Sequence, residues 1–238
     1  MIEIIIFVLS ITQSIFGIGL LAIGTPLLLL LNYDFFQILK ILLPCSILIS
    51  IFQIKKSKEI TREEKKMIYL SLPFIFIGIF IIYYFKSQIN FKLSIGIATI
   101  LALVTKVFLK KKVSSLVHNN KKTMIYLTGF FHGLTNSGGS FVSLIFQILK
   151  KNKLKIRASI SYAYFYFAST QYLSLNLFSK KIIFSSSDLI FLVLTCIGYF
   201  LGNAIFQKIK LNVFLNILNL IILFSALSLI ISELNYLL

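Results

Sequence analysis

The chain has 238 residues, of which 58% are hydrophobic, and its mean hydropathy is +0.94. This excess of apolar residues lies in long runs, which excludes a soluble domain, since such domains are usually about 45–50% apolar. The net charge of +17 comes from basic residues in short loops between the runs, as in retained cytoplasmic loops, and does not indicate nucleic-acid binding.

Eight hydrophobic segments follow one another along the chain, most of them about the 20 residues that cross a bilayer. Backbone groups in lipid must be satisfied within the segment, and the runs do not alternate as strands of a membrane barrel do. The sequence therefore predicts an all-α, multi-pass protein of the cell (inner or plasma) membrane, with about seven or eight helical segments. Their approximate bounds are 2–31, 36–54, 67–85, 89–109, 124–149, 156–178, 188–206 and 213–234.

The two halves of the chain resemble each other at a constant offset of 120 residues. The identities at this offset are Gly19 with Gly139, Asn32 with Asn152, Gly78 with Gly198, and Phe80 with Phe200. This pattern predicts two repeats of membrane helices, 1–112 and 113–238. Internal repeats are common in secondary transporters, where the substrate site lies near the repeat interface.

The distribution of Lys and Arg predicts how the repeats are oriented. If all eight segments cross, one side holds 14 basic residues and the other holds ten. If the first and fifth segments instead enter and leave by one face, the division becomes 19 to five, which fits the bias towards the cytoplasm. Three crossings per repeat then remain, so the second repeat is inverted and the C-terminus faces away from the cytoplasm. Re-entry of the fifth segment alone gives the same division, so the charges do not decide whether the first segment crosses the membrane or re-enters.

The first and fifth segments are interrupted by small and polar residues. Glycine weakens a helix and proline removes a hydrogen bond, so these stretches mark places where a helix opens. The half-helix that follows would present free N–H groups and a positive dipole end to an anion. Glycines of membrane helices also serve close helix packing, which is the alternative for the first stretch. The candidate substrate-binding residues are Gly17, Gly19, Thr25, Thr135, Asn136, Ser137, Gly138, Gly139 and Ser140.

Further residues extend this candidate site. His132 is the only histidine within a predicted span, and it could carry a proton or sense a charged solute. The alternative is a neutral histidine bonded to a neighbouring helix. Arg157 and Lys155 follow the second break and could attract an anion to the mouth of the site, although most basic residues in such positions serve only to retain a loop in the cytoplasm. Tyr162, Tyr164 and Tyr166 are interpreted as packing aromatics.

At these two breaks the sequence resembles the sulfite exporter TauE/SafE family of membrane permeases. Gly17-Ile18-Gly19 with Pro26 is similar to the opening of the family's first half. Ser137-Gly138-Gly139-Ser140, followed by Asn152 and Ala158-Ser159, is similar to the opening of the second half. The resemblance implies movement of small anions such as sulfite, sulfonates and related sulfur-containing organic acids. The chain departs from the family in having two glycines in each core region where members often have three.

The function predicted from these features is a secondary transporter for a small anion, which needs no enzymatic chemistry, cofactor or metal. Its partners are the anionic solute and the lipid bilayer, with no nucleic acid, and self-association into a homo-oligomer is left open. No Gly-x-x-x-x-Gly-Lys-Ser/Thr loop for nucleotides is present. One alternative is an intramembrane enzyme that pairs Ser137 or Ser140 with His132. A membrane scaffold without flux is the other.

Overall fold

A computed structural model describes residues 1–55, 60–85, 115, 117, 119–136, 138–150, 152–179, 188–220, 223 and 227. The described residues form helices joined by short turns, which confirms the predicted all-α class. In chain order the helices are α1 (Ile2–Phe16), α2 (Gly24–Leu30), α3 (Phe35–Lys55), α4 (Arg62–Tyr84), α5 (Lys121–Thr135), α6 (Gly138–Leu149), α7 (Lys153–Ser179), α8 (Leu189–Lys208) and α9 (Leu211–Leu220). The predicted segment 89–109 lies outside the described residues.

Three of the described helices, α3, α4 and α8, are long and apolar enough to cross a membrane. Helix α7 has 27 residues but carries many serines and tyrosines. It packs against α3, α4, α5 and α6, and about half of its polar side chains are buried, among them Ser159, Ser161 and Gln171. A helix enclosed by other helices does not need the continuous apolar surface that lipid demands, which explains its polarity.

Side-chain caps begin three of the long helices. Thr61 and Glu64 form a capping box at the start of α4, each side chain accepting a backbone N–H of the other residue. Asp34 accepts from two backbone N–H groups in the first turn of α3. Asn152 accepts in the same way from the first turn of α7. The starts of α3 and α7 are therefore fixed by equivalent interactions.

One end of the bundle brings together the starts of α4, α5 and α7 with the end of α6. Lys121 at the start of α5 pairs with Glu63 at 2.6 Å, and Lys150 just after α6 pairs with Glu64 at 2.8 Å. Ser159 in the second turn of α7 donates to the same Glu64 carboxylate. We call this the basic end, because twelve of the 13 described Lys and Arg residues lie in or next to it: Lys55, Arg62, Lys65, Lys66, Lys121, Lys122, Lys150, Lys153, Lys155, Arg157, Lys208 and Lys210.

The opposite end joins the starts of α3 and α8 to the ends of α4 and α7. Lys40 of α3 pairs there with Asp188 before α8 at 3.4 Å. The Tyr83 hydroxyl of α4 donates to the carbonyl of Phe178 in α7. Lys40 is the one described basic side chain at this end.

Helices α1 and α2 carry the chain into the bundle and back to the same end. Gly24 at the start of α2 lies against both Leu9 of α1 and Leu42 of α3. Leu9 and Leu42 are each seven residues into their helices, so α1 and α3 begin at the same level. Helix α1 has 15 residues and is about 22 Å long, shorter than a bilayer core of about 30 Å.

Helices α5 and α6 make the equivalent excursion from the basic end. Gly138 at the start of α6 packs against Thr128 and His132 of α5. The start of α5 and the end of α6 then both reach α4, through Lys121 and Lys150. The two excursions therefore enter the bundle from opposite ends.

The packing between helices is reciprocal. Helix α1 runs alongside α8 in the same direction, since Ser10 bonds Thr195 and Ser14 bonds the Tyr199 carbonyl. Helix α5 runs alongside α4 in the same way, with Gly129 against Ser71 and Gly133 against Ile75. Helices α3 and α7 pack against each other in the middle.

Candidate functional site

Helices α1 and α5 both end in a left-handed residue inside the bundle. Gly17 ends α1 with φ 77°, and Asn136 ends α5 with φ 57°. The N–H of each residue donates to the carbonyl four positions earlier, Gln13 in α1 and His132 in α5, at 2.8 Å. Glycine and asparagine are the residues that adopt this conformation at least cost, so the predicted breaks occur at residues suited to them.

Helices α3 and α7 each contribute a glutamine that donates to a backbone carbonyl in the last turn of α1 or of α5. Gln53 of α3 donates to the carbonyls of Gln13 and Ser14 at 3.0 and 2.9 Å. Gln171 of α7 donates to the carbonyl of His132 at 2.9 Å. Gln13 and His132 each lie eleven residues into a helix, about 16 Å from its start and so near the middle of a bilayer. We call six of the buried polar residues near this depth the central layer: Gln13, Ser46, Gln53, His132, Tyr164 and Gln171.

In the first half of the central layer the side chains of Gln13, Ser46 and Gln53 are all hydrogen-bonded, and only the neighbouring Ser50 hydroxyl of α3 is buried without a partner among the described residues there. The Gln13 amide nitrogen donates to the Ser46 hydroxyl and carbonyl at 2.9 and 3.2 Å. The Gln13 amide oxygen accepts from the backbone N–H of Leu20, beyond the break, at 3.2 Å. Gly19 packs against the backbone of Leu9 and Gln13. The expectation of free N–H groups at the start of the half-helix after this break is wrong for Gly24 and Thr25, because their N–H groups donate to the carbonyls of Gly19 and Leu21 at 3.1 and 3.3 Å.

The second half of the central layer differs, because several of its polar atoms have no partner. His132 is fully buried and neither ring nitrogen has a hydrogen-bond partner. Its ring lies 5.9 Å from the ring of Tyr164 and 5.1 Å from that of Phe167. The Tyr164 hydroxyl, the Gln171 amide oxygen and the Asn136 amide oxygen are likewise buried without partners. Each buried polar atom without a partner lowers the stability of the folded protein by about 1–3 kcal/mol. The cluster is therefore destabilising unless a solute or water forms hydrogen bonds with these atoms.

The start of α6 faces this cluster. Gly138, Gly139 and Ser140 are buried in its first turn, whose N–H groups have no acceptor within the helix. A Cβ atom on Gly139 would overlap the Tyr164 hydroxyl, so only glycine lets the start of α6 approach this side chain so closely. The helix dipole adds partial positive charge at the same place.

One hydrogen bond joins the two breaks. The Asn136 amide nitrogen donates to the Thr25 hydroxyl of α2 at 2.7 Å, and both side chains are fully buried. Thr135 donates to the Phe131 carbonyl of its own helix. Ser137 lies outside the described residues.

Arg157 lies at the tip of the first break, towards the basic end. One guanidinium nitrogen donates to the Ser14 carbonyl at 3.0 Å, and two donate to the Asn203 amide oxygen at 3.3 Å. The guanidinium carbon sits 3.5 Å from the centre of the Phe206 ring. None of the ion pairs among the described residues includes Arg157, so its buried charge is held by neutral groups.

The structure brings most of the candidate residues together and adds others. Gly17 packs against Arg157, Thr25 bonds Asn136, and His132 touches Gly138. Sequence reasoning did not include the three glutamines of the central layer or Ser46, and it interpreted Tyr164 as a packing residue only. Glutamine within an otherwise apolar segment is the signal that could have found three of these residues.

Two other chemistries find no support in this arrangement. Among the described residues, no serine hydroxyl is bonded to either ring nitrogen of His132, and Ser137 is not one of these residues. The described residues contain no group of three or more His, Cys, Asp or Glu side chains that could hold a metal.

The described residues define an all-helical protein in which three helices are long and apolar enough to cross a membrane and two interrupted segments meet at a buried polar layer. The chain belongs to the Sulfite exporter TauE/SafE family, whose family model matches residues 2–229. Among curated proteins and solved structures, none matches the chain.

Proposed function

We propose that this protein is a secondary transporter of the cell membrane for a small anion of the sulfite and sulfonate class. The observation that carries the proposal is the buried, partly unpaired polar cluster at the second break, close to the middle of the bilayer. Polar atoms at this depth are costly unless they line a solute site. Family membership supports transport of sulfur compounds.

The anion would bind between the two breaks, against the first turn of α6. The backbone N–H groups of Gly138 and Gly139 and the Tyr164 hydroxyl supply donors there. Asn136 links this site to Thr25 of the first break. Arg157 lies on the basic-end side of the first break and supplies the positive charge that draws an anion inwards.

We further propose that the two halves are inverted repeats, each with one re-entrant segment, α1–α2 and α5–α6. Three observations support this topology: each segment returns to the end at which it entered, the two enter from opposite ends, and the helices pack reciprocally. The concentration of described basic residues at one end supports placing that end in the cytoplasm. Alternating access would come from rocking of one repeat against the other about the central layer.

Flux of radiolabelled sulfite in reconstituted vesicles tests the function. We expect Asn136→Ala to lower the initial rate at least about tenfold, because it removes a buried group that both lines the site and joins the breaks. Asn176→Ala is the matched control, since Asn176 lies on α7 and donates to the Tyr172 carbonyl of the same helix. Sulfite flux that is equal in the wild type and in the Asn136 variant would refute the proposed site.

Labelling of single cysteines tests the topology separately, after Cys45 and Cys196 are replaced by serine. A cysteine at Lys122 should react with an impermeant maleimide only from the cytoplasmic side. A cysteine at Asp34 should react only from the other side. Labelling of both from one side would overturn the proposed arrangement of repeats and leave the flux result intact.

A further inference from the structure

The unpaired atoms at the second break include two that can only accept hydrogen bonds. The Gln171 amide nitrogen donates to the His132 carbonyl, and a carbonyl can only accept. The orientation of this amide is therefore fixed, and its oxygen is the atom without a partner. In the structure the Asn136 amide nitrogen donates to the Thr25 hydroxyl, and the Asn136 amide oxygen has no partner. The site therefore offers acceptors as well as the donors of Tyr164 and the start of α6.

A fully deprotonated oxyanion brings only acceptor atoms to such a site. It would bond to the donors but would leave the oxygens of Gln171 and Asn136 unpaired, or repel them at close range. A solute that keeps one O–H or N–H group satisfies these oxygens and the donors at the same time. Histidine adds one donor and one acceptor to the set, whichever of its ring nitrogens carries the proton.

The charges near the cluster point the same way. Among the described residues of the central layer none carries a permanent positive charge, and Arg157 is held at the first break by Ser14 and Asn203. A dianion at this depth would be balanced only by helix-start N–H groups and hydroxyls. These groups are better suited to balance the single charge of a monoanion.

We infer that the second break binds a singly charged oxoacid that retains a hydrogen-bond donor, with Gln171 and Tyr164 as specificity-determining residues. This inference rests on the proposed function, and it assigns hydrogen sulfite, not the sulfite dianion, as the bound form of that solute. The first half of the layer takes no direct part, since its Gln13 and Ser46 are already paired.

Two probes of nearly equal size and equal charge separate a donor requirement from general anion binding. At mildly acidic pH methylphosphonate is a monoanion with one P–OH group, whereas methanesulfonate is a monoanion with none. We expect methylphosphonate to bind the purified protein in lipid nanodiscs about tenfold more tightly in calorimetry, the effect of one hydrogen bond to a buried acceptor. Equal binding, tighter binding of methanesulfonate, or binding of neither probe would overturn the inference.

Substitution then identifies the acceptor. Gln171→Met keeps the side-chain length and removes the oxygen, so the preference for methylphosphonate should fall to about twofold or less. Gln37→Met, at an exposed position near the start of α3, should retain the full preference. A Gln171 variant that folds and keeps the full preference would overturn the assignment of that residue. Sulfite flux that depends on Asn136 would still support the transporter in that case, whereas normal probe binding without any sulfite flux would refute the transporter alone.

Discussion

Replacing Tyr164 with phenylalanine should stabilise the empty protein while weakening solute binding. The Tyr164 hydroxyl is fully buried and unpaired, so its removal ends a desolvation penalty of about 1–3 kcal/mol. The ring is unchanged, and its packing beside His132 is retained. For a chain of this length 1 kcal/mol corresponds to roughly 2–4 °C in the unfolding midpoint, so we expect a rise of a few degrees without solute. Sulfite affinity should fall about tenfold.

Tyr162→Phe is the matched control for this experiment. Tyr162 lies two residues earlier on α7, and its hydroxyl donates to the Tyr69 hydroxyl at 3.2 Å. Its removal breaks an existing hydrogen bond, so the unfolding midpoint should stay the same or fall slightly, and affinity should not change. A lower midpoint for Tyr164→Phe, measured by differential scanning fluorimetry in the same detergent, would mean that the hydroxyl is paired within the protein. The reasoning that places a solute there would then fail.

Two further predictions concern the frame around the site. Gly17→Ala should lower the free energy of unfolding by about 1–2 kcal/mol, because alanine is strained at φ 77°. Gly17→Asn should lower it by less, because asparagine adopts this conformation more readily. Chemical denaturation of both variants measures the difference, and equal losses of stability would contradict the conformational argument. Lys150→Met should destabilise the protein by more than Lys121→Met, because the partner Glu64 is buried whereas the partner Glu63 is exposed. An exposed ion pair contributes only about 0–1 kcal/mol. Equal decreases of the two variants in thermal unfolding would contradict this ranking.

The helical class and the positions of the two breaks could be predicted from the sequence because both depend on local chemistry. Apolar runs of span length dictate helices in lipid, and clustered glycines mark where such a helix ends. Gly17 and Asn136 indeed end α1 and α5. The predicted division at residues 112 and 113 falls outside the described residues and stays a prediction.

The contacts that pair the two halves could not be read from identities. The sequence comparison aligned Asn32 with Asn152 at an offset of 120, yet the residue that caps α3 as Asn152 caps α7 is Asp34. The same shorter spacing of 118 residues relates Gln53 to Gln171, which perform the same task at the two breaks. Gln13 and His132, and likewise Gly17 and Asn136, are 119 residues apart, so these contacts follow no single spacing and identities at one offset do not find them.

The difference between the halves explains why one fold with two similar breaks would hold its solute on one side. Gln13 and His132 occupy corresponding positions, eleven residues into α1 and α5, with Gln53 and Gln171 on their carbonyls. The Gln13 side chain is long enough to fill its own break, because its amide nitrogen donates to Ser46 and its amide oxygen accepts from the N–H of Leu20. The shorter imidazole of His132 reaches no partner, and the tyrosine beside it is left unpaired too. A break closed by its own side chain suits a hinge, and a break left open suits a binding site, so substitutions in the second half should change which solute is moved.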